Sequence, residues 1–283
     1  SRGRTMADGD FVLRHMEKDE LGELVDAQNE IFSDYIVPMR SSPEFFIDFV
    51  QSVGGRMANV MVAIDGGRIV GYVNPVVDGG EAWIGGVGVV PGHRGRGLGK
   101  KLMLAAEDFA RREGARTSIL EVIQGNQRAY ELYKRLGYVD TRTYVCAEGK
   151  PVQFAGFGAR PRRATAEELV QVHAEAYADS CWQRRKVQGL IASARTAECY
   201  LADGGFVLIR KVEATGYIPY LGVLPGKRGQ GIGTSLAKFA LNRLWEMGVF
   251  KVAVYNLNED PQVLRMLDKF DFAVTMKQVE MRK

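Results

Sequence analysis

A glycine-rich loop occurs twice in this chain, as RGRGLG over residues 94–99 and, 134 residues later, as RGQGIG over residues 228–233. Each copy follows an apolar predicted strand that ends in Pro-Gly, and each opens an amphipathic predicted helix. Backbone N–H groups converge at such a turn with the positive end of a helix dipole, which favours phosphate groups. The residues therefore predict a binding site for a phosphorylated ligand in each half.

The spacing of the glycines excludes two common nucleotide-binding motifs. A dinucleotide fingerprint requires G-x-G-x-x-G, whereas Gly95, Gly97 and Gly99 give G-x-G-x-G. A Walker A loop requires a glycine five residues before its Gly-Lys pair, and Arg94 occupies that position in the first copy. The pattern that remains in both copies is Arg-x-x-Gly-x-Gly after a strand that ends in Val-x-Pro.

The elements that must position the first loop are predicted in the order β-α-α-β-β-β-α-β-α-β. The second half repeats this order, beginning with a strand predicted over residues 154–160. Turn-forming residues over 148–151 separate two β-rich stretches, so we predict a domain at residues 6–148 and a second at 149–283. The expected fold is α+β, with a mixed α/β sheet in each of two tandem domains.

Three glycines interrupt the predicted strand before the first loop, at Gly85, Gly86 and Gly88. Glycine weakens a strand because it loses more backbone entropy on folding and packs no side chain. A bulge or the close approach of a ligand would explain its presence there. A bulge that serves packing alone is the alternative.

The composition is that of a globular protein with chain enough for two cores, at 283 residues, 46% hydrophobic and 25% charged. A net charge of +4 is too small to indicate a nucleic-acid-binding protein. No apolar run approaches the roughly 18 residues of a membrane span, and the polar first ten residues lack a signal-peptide core. Three cysteines without a CxxC pair and three isolated histidines predict no metal site. The absence of a disulfide framework fits a reducing cytoplasm, where we expect this protein. We expect a monomer or a homodimer.

Two stretches of the first half resemble the GNAT superfamily of acyl-CoA-dependent N-acyltransferases. They are VGVVPGHRGRGLG at residues 87–99 and NQRAYELYKRLGY at residues 126–138. The second half is similar through LGVLPGKRGQGIGT at residues 221–234. The resemblance covers nearly the whole chain as two repeats and implies tandem GNAT domains that use acetyl-CoA and release coenzyme A.

In this family the loop amides hold the pyrophosphate of coenzyme A, and the pantetheine arm lies along the preceding strand like an extra strand. The resemblance therefore implies two sets of cofactor-binding residues. In the first half they are Val87, Gly88, Val89, Arg94, Gly95, Arg96, Gly97, Leu98, Gly99, Lys100 and Asn126. In the second half they are Leu221, Val223, Arg228, Gly229, Gln230, Gly231, Ile232, Gly233 and Thr234.

The resemblance also implies proton-transfer residues in the first half. Tyr133, seven residues after Asn126, occupies the place of the family tyrosine that protonates the departing thiolate. Glu121 matches a glutamate that some members use as a base toward protein N-termini. Packing of Tyr133 against the sheet and a structural hydrogen bond from Glu121 are the alternatives.

The second half lacks both candidates. Pairing Asn258 with Asn126 puts Ala253 opposite Glu121 and either Arg265 or Leu267 opposite Tyr133. We therefore expect this half to be catalytically silent. Two alternatives stay open: the C-terminal half is the active one, as in mycothiol synthase-like tandem proteins, or the chain is a non-catalytic acyl-CoA sensor.

The acceptor is the least defined part of the prediction. The expected reaction is transfer of an acetyl group to a primary amine of a small molecule or peptide, by direct attack on the thioester. In this fold the helix pair before the second strand borders the acceptor channel, which points to Phe32 and Tyr35. Core packing of these rings is the alternative.

Overall fold

The computed structural model describes residues 11–37, 39–156, 158 and 160–283, which fall into two compact units. Unit 1 contains the described residues up to Asp140 together with Met281–Lys283. Unit 2 contains the described residues from Thr141 to Glu280. The boundary predicted at 148–149 follows the sequence repeat, whereas the compact units divide the chain between residues 140 and 141.

Unit 1 is a mixed sheet with helices, in the element order that the sequence predicts. Its elements are β1 (Val12–His15), α1 (Leu21–Ile31), α2 (Pro43–Ser52), β2 (Met61–Asp65), β3 (Arg68–Asp78), β4 (Glu81–Val89), α3 (Leu98–Arg112), β5 (Thr117–Ile123) and α4 (Gln127–Arg135). Strands β1 to β4 pair antiparallel in sequence order, and β5 lies parallel to β4. The predicted α+β fold is confirmed.

Local sequence signals account for several element boundaries in unit 1. The Ser42 side chain accepts a hydrogen bond from the Phe45 N–H at 3.2 Å, and Pro43 supplies the first residue of α2. Gly66 and Gly67 have φ values of 56° and 82°, which a tight hairpin between β2 and β3 requires. The predicted capped helix and hairpin are therefore both present.

Unit 2 repeats the pattern after the strand β6 (Val139–Gly149). Its further elements are β7 (Arg162–Arg163), α5 (Ala166–Ala176), α6 (Trp182–Arg185), α7 (Val187–Ala194), β8 (Glu198–Ala202), β9 (Gly205–Val212), β10 (Thr215–Val223), α8 (Ile232–Glu246), β11 (Lys251–Asn258), α9 (Pro261–Lys269) and β12 (Ala273–Arg282). Strand β11 lies between β10, to which it is parallel, and β6, to which it is antiparallel. The amphipathic helix predicted after the second loop is present as α8, with Leu236, Ala240 and Leu244 buried.

The strand predicted over residues 154–160 is wrong for the residues that the structure describes there. Phe157 and Ala159 lie outside the described residues, and the others in this range are irregular, with Gly158 at a φ of 80°. The first strand of the second repeat is instead the short β7, directly after Pro161. Gly158 and Pro161 determine where this strand begins. A glycine with a positive φ is not in a strand conformation, and proline has no N–H group to donate to a neighbouring strand.

The division between the two units falls within β6 and within β12. Residues of β6 from Thr141 onward belong to unit 2, and the chain returns to unit 1 for its last three residues. There, Lys283 and Ser118 exchange backbone hydrogen bonds of 2.9 and 2.8 Å beside β5. Lys283 Nζ also donates to Glu107 Oε2 at 2.7 Å. Unit 1 is therefore completed by the end of the second repeat.

None of the helices in the described part of the chain combines the length and apolar character needed to cross a membrane.

Candidate active site

A β-bulge interrupts the pairing of β3 with β4 before the first glycine loop. Val73 lies opposite Val87 and Pro75 opposite Ile84, so the two residues Gly85 and Gly86 face the single residue Asn74. An extra residue in one strand bends it and increases its twist. The bulge that the glycines predicted is therefore confirmed.

Close packing explains why the bulge consists of glycines. A Cβ atom on Gly85 would lie 2.2 Å from the Trp83 ring, and one on Gly86 would lie 2.9 Å from the Tyr72 hydroxyl oxygen. Gly88, further along β4, would meet Ile31 at 2.3 Å. These distances are shorter than any carbon contact tolerates, so each glycine makes room for a neighbouring side chain.

Beyond the bulge, β4 and β5 no longer pair. The parallel rungs run from Glu81–Thr117 to Trp83–Ile119, although the strands continue to Val89 and Ile123. Backbone groups of β4 after Trp83 therefore face an edge that β5 does not occupy. Ligands of α/β proteins commonly bind outside the carboxyl ends of such parallel strands.

The first glycine loop has the backbone shape that a phosphate site requires. Gly95 and Gly97 have φ values of 81° and 78°, and a Cβ atom on either would meet no atom within 4 Å. Gly97 is the N-cap of α3 and, as a glycine, has no side chain that could accept a hydrogen bond from the first turn of this helix. The space beside these two glycines is therefore open, at the positive end of the helix dipole. Gly229 and Gly231 repeat the shape, with φ values of 79° and 82°.

The arginine that opens each loop binds the end of a helix. Arg94 donates to the carbonyl oxygens of Val89 and Ile31 at 3.0 and 2.7 Å and forms a two-bond ion pair with Asp34 at 2.6 and 2.9 Å. In unit 2, Arg228 donates to the equivalent carbonyls of Val223 and Ala176, at 3.3 and 3.2 Å. The two guanidinium groups thus connect the loops to the ends of α1 and α5. The phosphate contact predicted for these arginines stays a prediction.

The other predicted loop residues divide into buried and exposed ones. Leu98 is buried in the core, while Arg96 and Lys100 are exposed and Gly99 is half-buried. In unit 2, Gln230 is exposed and the residues 232–234 are half-buried. The strand residues 87–89, with Leu221 and Val223, are half-buried. These placements leave the predicted cofactor-binding role of each residue a prediction.

Glu121 lies against Trp83 at the point where β4 and β5 separate. The Trp83 indole N–H donates to Glu121 Oε2 at 2.7 Å. The Trp83 ring itself is buried beside Gly85, with the Phe49 ring centroid 6.3 Å away. A carboxylate held by one directional donor has a defined orientation. Sequence reasoning missed Trp83, because its partner is 38 positions away on another strand.

Tyr133 is buried among other tyrosines. Burial raises the pKa of Tyr133, and the nearby hydroxyls of Tyr35 and Tyr72 raise it further. The phenol therefore keeps its proton well above neutral pH. Of the two acceptor residues predicted by resemblance, Tyr35 reaches this cluster and Phe32 packs on it with ring centroids 5.1 Å apart.

Asn126 caps helix α4. Its side-chain oxygen accepts from the Ala129 N–H at 3.3 Å, and its side chain hydrogen bonds Tyr35. A cap of this kind stabilises the first turn of the helix that carries Tyr133. The cofactor contact predicted for Asn126 stays a prediction.

Asn74, the residue opposite the bulge, is a polar residue that sequence reasoning also missed. It is 1% exposed, and neither atom of its amide has a hydrogen-bond partner among the described residues. Buried amides without partners are rare and costly in folded proteins. A lone Asn in the β-rich run 68–78 could have drawn attention to this position.

Unit 2 has neither a carboxylate in the place of Glu121 nor a tyrosine in the place of Tyr133. Strand register pairs Trp83 with Ile119 in unit 1 and Tyr217 with Ala253 in unit 2. Counting two residues onward, Tyr255 is the counterpart of Glu121, so the predicted match with Ala253 is wrong. Tyr255 lies five residues before the cap Asp260, as Glu121 lies five residues before the cap Asn126. The counterpart of Asn126 is therefore Asp260, and pairing Asn126 with Asn258 caused the two-residue error.

The tyrosine of unit 1 also has an apolar counterpart. Helices α4 and α9 each begin after a side-chain cap, Asn126 and Asp260, and Tyr133 is the seventh residue of α4. The seventh residue of α9 is the buried Leu267. In place of the Trp83–Glu121 hydrogen bond, unit 2 has Tyr217 stacked on Tyr255 with ring centroids 6.0 Å apart.

Strand β10 is interrupted like β4, by an irregularity in its pairing with β9 between Tyr217 and Tyr220. Two units that each combine such a strand with a glycine loop and a diverging parallel strand define a tandem acyl-CoA N-acyltransferase fold. The acetyltransferase (GNAT) family profile matches residues 23–138 and 166–272, so the chain belongs to that family. It is an acyltransferase, and the matches support acetyl transfer in general.

Relatives of known name agree with this assignment. A mycothiol acetyltransferase of Frankia alni is 27% identical over 273 residues, which cover 81% of this chain and 80% of that protein. A streptothricin acetyltransferase of Streptomyces lavendulae is 50% identical over 50 residues, covering 18% of this chain and 26% of that protein.

Solved structures show the same fold. A GCN5-related N-acetyltransferase from Sphaerobacter thermophilus has a TM-score of 0.71 at 18% identity, over 99% of this chain and 96% of that one. A tandem GNAT protein of the clavulanic acid biosynthesis pathway has a TM-score of 0.66 at 19% identity, over 97% and 98% of the two chains. The predicted tandem architecture is thereby confirmed.

Acetyl-CoA is the acetyl donor of this family, and the first loop fits its diphosphate. The open space above Gly95 and Gly97 lies at a helix start whose amides have no side-chain cap. The free edge of β4 after Trp83 offers backbone donors and acceptors to an extended amide arm.

Proposed function

We propose that this chain transfers an acetyl group from acetyl-CoA to a primary amine of a small molecule or peptide, and that unit 1 carries out the transfer. The observation that carries this proposal is the Trp83–Glu121 hydrogen bond at the end of the paired part of β4 and β5. Unit 2 has Tyr217 and Tyr255 in the same two places. Neither Tyr217 nor Tyr255 carries a carboxylate, whereas Glu121 places one beside the free edge of β4.

Glu121 is the proposed base. An alkylamine has a pKa of roughly 10.4, so most of it is charged at pH 7 and must lose a proton before it can attack. Glu121 accepts that proton, directly or through water, while Trp83 holds the carboxylate in place. Removing the proton frees the nitrogen lone pair for attack on the acetyl carbon.

Tyr133 is the proposed acid. Acetyl-CoA, when bound, supplies an acetyl thioester, and transfer forms a C–N bond while the C–S bond breaks. The departing sulfur carries the electron pair and needs a proton. Tyr133 holds one across the physiological range, because burial and the neighbouring hydroxyls raise its pKa. The ordinary tyrosine pKa of about 10 already places the proton on the phenol.

Apolar side chains around α1 and α2 favour an acceptor with an apolar body. Phe45 and Ile36 are 60% and 54% exposed, although most side chains of this kind are buried in unit 1. Ile36 lies 3.8 Å from the position of a Cβ on Gly125, next to the start of α4. Phe32 and Tyr35 are therefore proposed to border the acceptor channel on the same side.

A thiol-release assay with acetyl-CoA against polyamines, amino acids, aminoglycosides and peptide N-termini tests the reaction and identifies the acceptor class. Tyr133→Phe and Glu121→Gln are each expected to reduce turnover about 10²-fold, as for general acid–base residues. Gly231→Asp, in the second loop, should leave turnover largely intact. Loss of turnover in a folded Gly231→Asp protein, with no effect of Tyr133→Phe, would assign the reaction to unit 2.

The same assay separates an enzyme from an acyl-CoA sensor. A sensor would bind acetyl-CoA in calorimetry without releasing thiol in the presence of any amine. The enzyme is expected to bind at least one acetyl-CoA per chain and to release thiol slowly even without an acceptor. Gly97→Asp is the matched variant for Gly231→Asp, and we expect it to abolish thiol release and the binding of acetyl-CoA to unit 1.

A further inference from the structure

The free edge of strand β10 in unit 2 is occupied by a side chain of the same unit. The Tyr177 hydroxyl donates to the Leu221 carbonyl oxygen at 2.9 Å and accepts from the Leu221 N–H at 3.0 Å. The N–H and C=O of one strand residue point to the same edge of the strand. Tyr177 therefore satisfies both groups that an added strand would bind at this position.

Arg184 extends this connection to the neighbouring strand β11. Its Nη2 donates to the Tyr177 hydroxyl at 3.1 Å, and its Nη1 donates to the Tyr255 carbonyl oxygen at 2.8 Å. Arg184 is buried, with 8% of the residue exposed. Pairing of β10 with β11 ends at Tyr217–Ala253, so the guanidinium bridges the strands where they have separated.

Neighbouring rings fix the position of this bridge. The Arg184 guanidinium lies 4.9 Å from the Tyr220 ring centroid and 5.2 Å from that of Tyr177. His173 stacks on Tyr177 with centroids 5.2 Å apart, and its Nε2 lies 2.8 Å from the Arg184 carbonyl oxygen. Burial lowers the pKa of His173, so it stays neutral beside the guanidinium. Cation–π contacts and neutral acceptors thus stabilise a buried cation.

Unit 1 has a matched position without the hydroxyl. Tyr177 is the C-cap of α5, and Phe32 is the C-cap of α1. The preceding carbonyls, of Ala176 and Ile31, each accept a hydrogen bond from the arginine of the glycine loop. Phe32 has no hydroxyl with which to bind the backbone of β4.

We propose that Tyr177 and Arg184 occupy, within unit 2, the hydrogen-bonding positions where the amide arm of an acyl-CoA would pair with β10. The second glycine loop then binds the diphosphate part of such a ligand, and hydrogen bonds between the amide arm and β10 add nothing to the affinity. This inference concerns unit 2 alone and is independent of which residues of unit 1 transfer protons.

Calorimetry on the full-length chain tests the proposal. In a Gly97→Asp background, binding to unit 2 is the heat that disappears when Gly231→Asp is added. Coenzyme A and adenosine 3′,5′-diphosphate, which lacks the pantetheine arm, are the two probes. We expect both probes to bind unit 2, with affinities that agree within twofold. Undetectable binding of both would contradict binding of the diphosphate by the second loop. Tenfold tighter binding of coenzyme A would overturn the proposal.

A second variant tests the role of the hydroxyl itself. Adding Tyr177→Phe to the Gly97→Asp background should raise the affinity for coenzyme A at least fivefold and leave that for adenosine 3′,5′-diphosphate unchanged. Phe32 shows that the fold accepts phenylalanine at this helix end. Tyr220→Phe is the matched control and should change neither affinity. An unchanged coenzyme A affinity in a folded Tyr177→Phe variant would show that the hydroxyl does not block the arm.

Discussion

The indole N–H of Trp83 donates to Glu121 Oε2 at 2.7 Å, where the pairing of β4 with β5 ends. Trp83 lies in the last paired rung, and Glu121 lies two residues beyond that rung on β5. The bond thus places a carboxylate where the strands begin to separate. Its Tyr217–Tyr255 counterpart in unit 2 stacks two rings and carries no carboxylate.

Trp83→Phe is expected to reduce turnover about tenfold, since a hydrogen bond to a charged group contributes about 1.5–3 kcal/mol. The hydrogen bond orients the carboxylate at the strand edge, so its loss should lower kcat and leave KM for acetyl-CoA close to the wild-type value. Steady-state rates at a single pH measure both parameters. Phe49→Leu, which removes a ring near Trp83 but no donor, is the control and should retain kcat. An unchanged kcat in Trp83→Phe would contradict the positioning role.

Tyr133→Phe is expected to reduce kcat with little change in KM for acetyl-CoA, because the phenol acts in the transfer step. Since burial raises the pKa of Tyr133, wild-type kcat should show no alkaline loss from this group below about pH 10, the ordinary value. Profiles of kcat from pH 6 to 9.5 check this. A wild-type alkaline limb that disappears in Tyr133→Phe would show that the tyrosine ionises in the working range.

Asn74→Leu removes a buried amide that has no partner among the described residues. A buried unpaired polar group costs about 1–3 kcal/mol, so the urea midpoint should stay level or rise. If the Asn74 amide positions a bound ligand at the bulge of β4, turnover should fall about tenfold in the same variant.

Asn242→Leu is the control for Asn74→Leu. Its amide binds the Phe154 N–H and C=O at 2.7 and 3.0 Å, so we expect a lower urea midpoint. Full activity of Asn74→Leu would show that the Asn74 amide has no role in transfer.

Phe32→Tyr is the reciprocal of the substitution at Tyr177. It introduces a hydroxyl at the C-cap of α1, beside the edge of β4. We expect coenzyme A to bind unit 1 at least fivefold more weakly in calorimetry. Phe45→Tyr, at a 60% exposed position of α2, should leave the affinity unchanged. Equal affinity in Phe32→Tyr would show that the two helix ends are not equivalent.

Glu198 is expected to make the stability of unit 2 depend on acid pH. Arg243, Tyr200 and Arg163 donate to or pair with its carboxylate, and they lower its pKa to about 2 from the usual 4.5. Since the folded-state pKa is the lower one, the stabilisation is full above pH 4.5 and is lost as the pH falls toward 2.

Urea midpoints of wild type and Glu198→Gln at pH 7, 4 and 3 measure this dependence. The difference between the two proteins should be largest at pH 7 and should shrink at pH 3. Glu246→Gln is the control, since its carboxylate is more exposed and, among the described residues, pairs with Arg243 alone. A difference that is constant with pH would contradict the assignment.

Local signals in the sequence determined most of the elements and the two loops. Gly97 and Gly231 start helices with a positive φ, Gly66 and Gly67 form a hairpin, and Ser42 caps α2. Each of these features depends on residues within a few positions of one another, so sequence spacing suffices to predict it. The family motifs then identified the tandem fold, because they too are contiguous.

The tertiary structure alone decided which distant residues meet. The backbone hydrogen bonds of Lys283 with Ser118, the Trp83–Glu121 hydrogen bond and the contact of Arg94 with Asp34 join residues that are far apart in the chain. The hydrogen bond of the Tyr177 hydroxyl to Leu221, 44 positions away in the chain, was decided in the same way. Sequence spacing specifies local backbone geometry, whereas packing and hydrogen bonding between separate elements select these partners.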